Sequence, residues 1–178
     1  MNTRIAETKD IEKILSVLES GREFLASQGL SQWQDGYGPA ECLAEQIAGN
    51  YGYVLLSQEG ILCGYAALVE GIDACYTNIK DGAWDNSHEK YISIHSVAID
   101  ASFRGKRLAE LFMRLLIEIA ENMGYKDIRI DTHPQNRIMQ KVILRAGFTY
   151  KGIVEFDIPD GERKAYQLIS SLNPSAKQ

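Results

Sequence analysis

The sequence predicts an α/β (α+β) domain with a central mixed, mostly antiparallel twisted sheet of about six to seven strands, flanked by helices. Apolar segments at 91–99 and 128–131 enclose a loop and a helical pattern from Leu108, and this strand–helix–strand unit predicts one parallel, right-handed crossover. The turns Glu59-Gly60 and Pro159-Asp160-Gly161 each separate two apolar segments, which predicts two antiparallel hairpins.

The N-terminal part of the chain predicts one strand followed by helices. Residues 4–6 are typical of a short strand, and apolar residues over 11–18 recur at helical spacing. We expect this first helix to end near Gly21 and a second short helix to cover 23–27. A further helix is expected over 39–49, because Pro39 suits the first turn of a helix.

The remaining segments complete the predicted sheet. The first hairpin pairs 53–56 with 61–68, and the polar, turn-rich residues 70–90 predict a long loop. A shorter helix is expected from Asn136 to a stop at Gly147, followed by the closing hairpin. With no internal repeat or linker, we expect one domain over residues 1–171 and a frayed tail over 172–178.

Composition excludes several classes of function. The net charge of −5 and the isoelectric point near 5.3 argue against a nucleic-acid-binding protein. No segment approaches the roughly 18 apolar residues of a membrane span, and no signal-peptide core follows Met1. The three cysteines are odd in number and lack metal-type spacing, and the three histidines are scattered. We therefore expect a cytoplasmic protein with reduced thiols, no metal and no membrane association.

A basic run at the start of the predicted third helix is the most informative local feature. It comprises Arg104, Gly105, Lys106, Arg107, Leu108 and Ala109. Three cations at a helix N-terminus conflict with the helix dipole unless an anion lies there. Unpaired backbone N–H groups, the dipole and the cations would all favour a diphosphate. The alternative is a basic surface loop that only begins a helix.

These residues, in this order, resemble the GNAT superfamily of acyl-CoA-dependent N-acyltransferases over nearly the whole chain. The segment 97–100, followed by 103–109, is similar to the strand and pyrophosphate loop of that family. The segment 136–139, with Ala146-Gly147-Phe148 ten to twelve residues beyond Asn136, is similar to the family's second cofactor-binding segment. The resemblance implies a sheet whose parallel strand pair is splayed at a cofactor cleft.

Two positions depart from the family pattern. The loop pattern is normally Gln or Arg, two residues, Gly, one residue, and then Gly or Ala. Arg104 and Ala109 fit it, but Arg107 takes the first Gly position. Arg107 could add charge if its φ angle is negative. Many members also have a tyrosine proton donor seven residues after the Asn, where this chain has Ile143, so a donor is absent or comes from elsewhere.

The resemblance implies direct transfer of an acetyl group from acetyl-CoA to an amine in a ternary complex, with no metal. It assigns the backbone at Val97, Ala98 and Ile99 and the side chain of Asn136 to pantetheine, and residues 104–109 to the diphosphate. The partners would be an acyl-CoA and an acceptor amine, and the protein would be a monomer or a homodimer. A different class of function, a non-catalytic acyl-CoA-binding sensory or interaction module, remains open.

His95 is the candidate general base, because an imidazole titrates near neutral pH and this strand passes the expected acetyl position. The run 95–99 also resembles arylalkylamine N-acetyltransferases, in which a histidine at the matching position is the base. The alternative is a hydrogen-bonded structural histidine. Ser93, two residues earlier on the same face, could orient a water or ligand, or be an ordinary strand serine.

Acceptor recognition is assigned from the resemblance, because the acceptor generally meets the first helices and the last hairpin in this fold. The wall candidates are Trp33, Gln34, Tyr37, Tyr91 and Tyr166. Trp33 could instead be an aromatic plug that covers the core. His133, beside Pro134, is interpreted as a turn residue rather than a base.

Overall fold

The computed structural model describes residues 1–34, 38–85 and 90–171. Seven strands form one sheet in the order β1-β2-β3-β4-β5-β7-β6, in which only β4 and β5 are parallel, confirming the predicted mixed sheet. The strands are β1 (Asn2–Ile5), β2 (Gly52–Leu56), β3 (Leu62–Glu70), β4 (Ile92–Ile99), β5 (Asp127–Thr132), β6 (Thr149–Glu155) and β7 (Glu162–Ile169). The helices are α1 (Ile11–Ser27), α2 (Leu43–Ala48), α3 (Leu108–Asn122) and α4 (Arg137–Arg145).

The two faces of the sheet bury two different sets of apolar side chains. On one face, Ile14, Val17 and Leu18 of α1 pack with Val54 and Tyr65. On the other face, α3 and α4 cover the larger core, formed around Phe112, Leu116, Ile94, Ile128 and Ile143. Each helix buries one face at a period of 3.6 residues, and β4 and β5 are largely buried on both faces, so these two strands lie between helical layers.

The prediction that the first helix ends at Gly21 was wrong, because α1 is continuous from Ile11 to Ser27 and includes the expected second helix. A Cβ on Gly21 would lie 3.1 Å from a ring carbon of Trp33. Glycine here gives room to the indole, and this packing outweighs its low helix propensity, which costs about 1 kcal/mol relative to Ala. The expected tail over 172–178 lies outside the described residues.

No helix within the described ranges is long and apolar enough to cross a membrane. No group of three or more potential metal ligands occurs in the part of the chain that the structure describes.

Candidate active site

A β-bulge in β4 opens the parallel pair. Tyr65 pairs with Ala98 and Ala67 pairs with His95, so two residues of β4 face the single residue between them in β3. Ser96, inside the bulge, has a φ angle of 60°. The β4–β5 pairing ends at Ile94, and beyond it the strands part, leaving one edge of β4 without a strand partner among the described residues.

The opening is a cavity of about 830 Å³. Its walls include the β4 backbone from His95 to Ile99, the loop that leads into α3, and the start of α4 at Asn136. Its other end is lined by residues of β5 and of the last hairpin, among them Asp131, Phe156 and Arg163. One cleft therefore connects the predicted diphosphate loop with the predicted base.

The loop before α3 offers a row of free backbone donors. Arg104 N–H donates to the carbonyl of Ala101, and Leu111 N–H donates to the carbonyl of Arg107. The N–H groups of the six residues between them, 105–110, have no acceptor in the described parts of the chain. Unpaired N–H groups at the N-terminus of a fifteen-residue helix form a positive, anion-binding end.

Arg107 has the backbone conformation expected of the glycine it replaces. Its φ and ψ angles are 58° and 23°, in the left-handed region. From the sequence, Arg107 could add its charge to the diphosphate site if its φ angle is negative, and this condition is not met. The side chain is 72% exposed and forms an ion pair of 2.8 Å with Glu110, which also pairs with Arg145 at 2.6 Å. The loop thus has, at this position, a left-handed conformation that glycine adopts most readily, in spite of the side chain.

The side chains of the basic run have different environments. The guanidinium of Arg104 donates to the carbonyl and the hydroxyl of Ser20, each at 2.7 Å, and lies 4.7 Å from the ring centre of Phe24. Burial lowers the pKa of Arg104. Arg104 thus fastens the loop to α1. Lys106 is exposed, and its Nζ lies 5.3 Å from the ring centre of Phe103. Leu108 and Ala109, the first residues of α3, pack against the larger core.

Asn136 caps α4 and also contacts the N-terminal part of the chain. Its side-chain oxygen accepts from Met139 N–H at 3.0 Å, and its amide group donates to Gln32 Oε1 at 3.2 Å. Asn136 therefore lies on the cleft wall with its amide already bonded to a residue near Trp33.

His95 lies in the cleft and is held by a carboxylate that sequence reasoning missed. Its Nε2 lies 3.1 Å from Asp73 Oδ2, while Nδ1 has no partner among the described residues. Asp73 is fixed in turn, because its Oδ1 accepts from Cys75 N–H at 2.9 Å. Burial alone would lower the pKa of His95, but the Asp73 carboxylate and the charge of Asp131 raise it above its usual value.

Asp131 and Arg163 are two further charged residues that line the cleft. Asp131 Oδ2 accepts from the hydroxyl of Tyr76 at 2.8 Å, and burial raises the pKa of Asp131. Arg163 is 6% exposed, and its Nη1 donates to the carbonyls of Asp160 and Glu162 at 2.7 and 2.8 Å. Burial lowers the pKa of Arg163, which the charge of Asp131 partly offsets.

The other candidate residues are not all at the cleft. Trp33 lines it, but Gln34 does not: its amide donates to the carbonyls of Arg22 and Gln32, and it lines a second cavity of about 390 Å³ beside α1. Tyr37 lies outside the described residues.

Three further candidates are buried away from the cavity lining. Ser93 is 1% exposed, and its hydroxyl has no hydrogen-bond partner among the described residues. Tyr91 receives a hydrogen bond from Asp73 N–H at 2.7 Å, and the Arg129 guanidinium lies 3.8 Å from its ring centre. Tyr166 packs in the core under α3 and α4.

The position where the family often has a tyrosine donor is part of the core, since Ile143 is fully buried. Tyr150 and Tyr166, two tyrosines of the last hairpin that could replace such a donor, contact each other at a centroid distance of 5.7 Å, and neither lines the cleft. His133 Nδ1 accepts from Gln135 N–H at 3.2 Å, and its Nε2 lies 3.0 Å from Asp160 Oδ2. These contacts agree with the interpretation of His133 as a turn residue.

Comparison with known proteins identifies the family. The family model of the GNAT acetyltransferases matches residues 18–148. A GNAT-family acetyltransferase structure from Streptococcus agalactiae is 34% identical with a TM-score of 0.86, and the match covers 96% of each chain. One from Listeria monocytogenes is 20% identical with a TM-score of 0.74, covering 95% of this chain and 94% of that one.

An aminoglycoside acetyltransferase in complex with coenzyme A and kanamycin shares the fold, at 19% identity and a TM-score of 0.66 over 94% of each chain. A search of the curated proteins gave no match. On the family match and the Streptococcus relative, this chain belongs to the GNAT family of acetyltransferases.

Proposed function

We propose that this protein is an N-acetyltransferase that moves an acetyl group from acetyl-CoA to a primary amine by direct attack in a ternary complex. The observation that carries the proposal is the single cleft described above. Within the described parts of the chain, one end has six unpaired backbone N–H groups in the loop and first turn of α3. The other end has the His95–Asp73 pair, with an imidazole nitrogen that has no partner there. Fold neighbours that bind coenzyme A support this choice of cosubstrate.

The donor end fits a CoA diphosphate. The N–H groups of 105–110 and the positive end of the α3 dipole would hold the phosphate oxygens, while the exposed cations of Lys106 and Arg107 add a longer-range attraction. A diphosphate there would satisfy donors that the protein leaves unpaired. Arg104 would act mainly by fixing the loop on Ser20 of α1.

The edge of β4 fits the pantetheine arm. From Val97 to Ile99 the strand has lost its β5 neighbour, so amide groups of the arm could pair with its backbone as a strand would. Asn136 would hold the opposite side of the arm. A β4 N–H directed at the thioester oxygen would stabilise the negative charge that develops there. Placement of the two reactants can itself contribute several kcal/mol.

His95 would take the proton from the acceptor amine through Nδ1, because Asp73 occupies Nε2. A lysine-type amine with a pKa of about 10.4 costs roughly 4.6 kcal/mol to deprotonate at pH 7, so a base is useful. The leaving thiolate, with a pKa near 8.5 by analogy with cysteine, needs no strong acid, which is consistent with Ile143 in the donor position. We include a cytoplasmic location in the proposal, given the three unpaired cysteines.

The test is release of free thiol from acetyl-CoA over a panel of small amines and peptides, with products identified by mass spectrometry. His95→Gln should lower kcat/KM by about 10² to 10⁴, the usual contribution of a general base. His133→Gln is the matched control, because His133 also pairs with an aspartate through Nε2 but does not line the cleft. Tight CoA binding without thiol release over the whole panel would favour the non-catalytic module.

A further inference from the structure

Three charged or titratable side chains form a row across the acceptor end of the sheet. The last parallel pair is Ile94 with Ile130, so the next residues, His95 and Asp131, lie on the same face of β4 and β5. Asp131 pairs with Ala165 of β7, and Arg163, two residues from Ala165, shares that face. All three line the cleft.

Arg163 is a buried cation whose charge is not neutralised by contact. Only its Nη1 is used, for two backbone carbonyls, while Nε and Nη2 have no acceptor among the described residues. These two nitrogens are not among the fully enclosed unpartnered atoms of the described residues, and Arg163 lines the cavity. Within the described ranges, the hydrogen bonds of the guanidinium go to backbone carbonyls and not to a carboxylate. A guanidinium cannot lose its proton, so this position favours an anionic ligand.

The neighbouring groups limit the charge of that ligand. Asp131 uses Oδ2 for the Tyr76 hydroxyl and has no partner for Oδ1 among the described residues, and Asp73 adds a second carboxylate behind His95. Two carboxylates would repel a dianion such as a phosphate monoester. They would attract an ammonium group placed between Asp131 and His95. A molecule with one ammonium and one carboxylate matches both signs.

We propose that the acceptor is a small amine that itself carries a carboxylate, such as an amino acid, with the carboxylate on Arg163 and the amine between Asp131 and His95. This inference rests on the proposed N-acetyltransferase function. The planar guanidinium presents Nε and Nη2 side by side, which is the geometry for two parallel hydrogen bonds to a carboxylate. Phe156, whose ring centre lies 5.6 Å from the guanidinium, and Ile158 form an apolar wall for the body of the acceptor.

The proposed step balances in atoms and charge. His95 Nδ1 accepts one proton from the ammonium, and the free amine attacks the thioester carbon. The N–C bond forms as the C–S bond breaks, and the thiolate leaves with the electron pair. The second proton lost from the nitrogen passes to the thiolate or to water. Arg163 takes no part in this chemistry and acts only through binding of the carboxylate.

The experiment compares amino acids with the corresponding amino acid amides, which keep the side chain and the amine but lose the negative charge. Because the amide also has a less basic amine, the readout is the change of the acid-to-amide ratio between the wild-type protein and each variant. In the wild-type protein, kcat/KM should be about 10-fold or more higher for the acids, mainly through KM. In Arg163→Gln the ratio of acid to amide should fall by about 10-fold or more relative to the wild-type protein, and Arg163→Lys should give an intermediate ratio. Since both substrates are measured on the same protein, any loss of folded protein cancels in the ratio.

Calorimetric titration of an acetylated acid and its amide into the CoA-loaded protein gives a second readout, in which Arg163→Gln should remove the preference for the acid. Equal turnover of acids, amides and carboxylate-free amines would overturn this inference and leave the N-acetyltransferase function standing. An absence of thiol release with every amine would overturn both.

Discussion

The left-handed backbone of Arg107 predicts that its replacement by glycine stabilises the protein. At a φ angle of 58°, an L-residue pays roughly 1–2 kcal/mol for the contact between its Cβ and the following carbonyl. Glycine avoids this cost but loses roughly 0.5–1 kcal/mol through the larger freedom of the unfolded chain. The backbone contribution of Arg107→Gly is therefore a gain of about 0.5–1 kcal/mol in unfolding free energy.

Arg107→Ala is the control, because it removes the same exposed side chain and the same ion pair to Glu110 but keeps a Cβ. The difference between the glycine and alanine variants isolates the backbone term. For a chain of this size, we expect glycine to melt about 1–4 °C above alanine, measured by calorimetry or by urea unfolding. A glycine variant no more stable than the alanine variant would refute the left-handed conformation at this position.

The same pair of variants tests how the diphosphate is held. If the backbone N–H groups of 105–110 are the main donors, both variants lose only the long-range attraction of one exposed cation. CoA affinity should then fall by about the same small factor in both variants, and the difference in affinity between each variant and the wild-type protein should shrink at high salt. A large loss in both that persists at high salt would assign a direct contact to the Arg107 side chain.

Two other predictions concern side chains that act through a partner. Asp73→Asn should lower the pKa of His95, because it removes the carboxylate that raises it, and should therefore move the rising limb of the pH–rate profile to lower pH. We expect kcat/KM to fall by about 10- to 100-fold. An unmoved profile would exclude Asp73 as a positioning residue. Arg104→Lys keeps the charge but loses the two-nitrogen contact in which Nη2 donates to both oxygens of Ser20 and Nε donates to the carbonyl of Ile99. The free energy of unfolding should therefore fall by about 1–3 kcal/mol, with CoA affinity within about threefold. A tenfold loss of affinity would contradict the role of Arg104 in fixing the loop.

The sequence was sufficient to predict most of the sheet, because its strands and turns have local patterns. The crossover from β4 through α3 to β5 and both hairpins were predicted correctly. The continuity of α1 could not be predicted, since the reason for Gly21 is the ring of Trp33, twelve residues away in the sequence. Likewise, the φ angle of Arg107 follows from the loop geometry, and propensity alone favours the opposite sign.

For residues of the last hairpin, the face of the sheet on which a side chain lies decides whether it can reach the cleft, and residue type does not. Tyr166 was a reasonable wall candidate as an aromatic residue of the last hairpin, but it is adjacent to Ala165 and so points to the α3 and α4 face. Arg163, two residues from Ala165, points to the cleft. Once Asp131 is known to pair with Ala165, it follows that Arg163 faces the cleft and Tyr166 does not. Without the register this cannot be predicted, because a shift by one residue exchanges the two faces.

The two ends of the cleft are encoded differently, which affects how each can be tested. The donor end is built from one continuous segment, the β4 bulge, the loop and the first turn of α3, so its backbone geometry depends on local sequence and a short motif can indicate it. The proposed acceptor end combines Asp131 from β5 and Arg163 from β7, which the sheet register brings together, with Asp73 from the loop after β3, which contacts His95. If the proposed acceptor site is correct, a change of acceptor needs only substitutions at such positions, with no change in the motif.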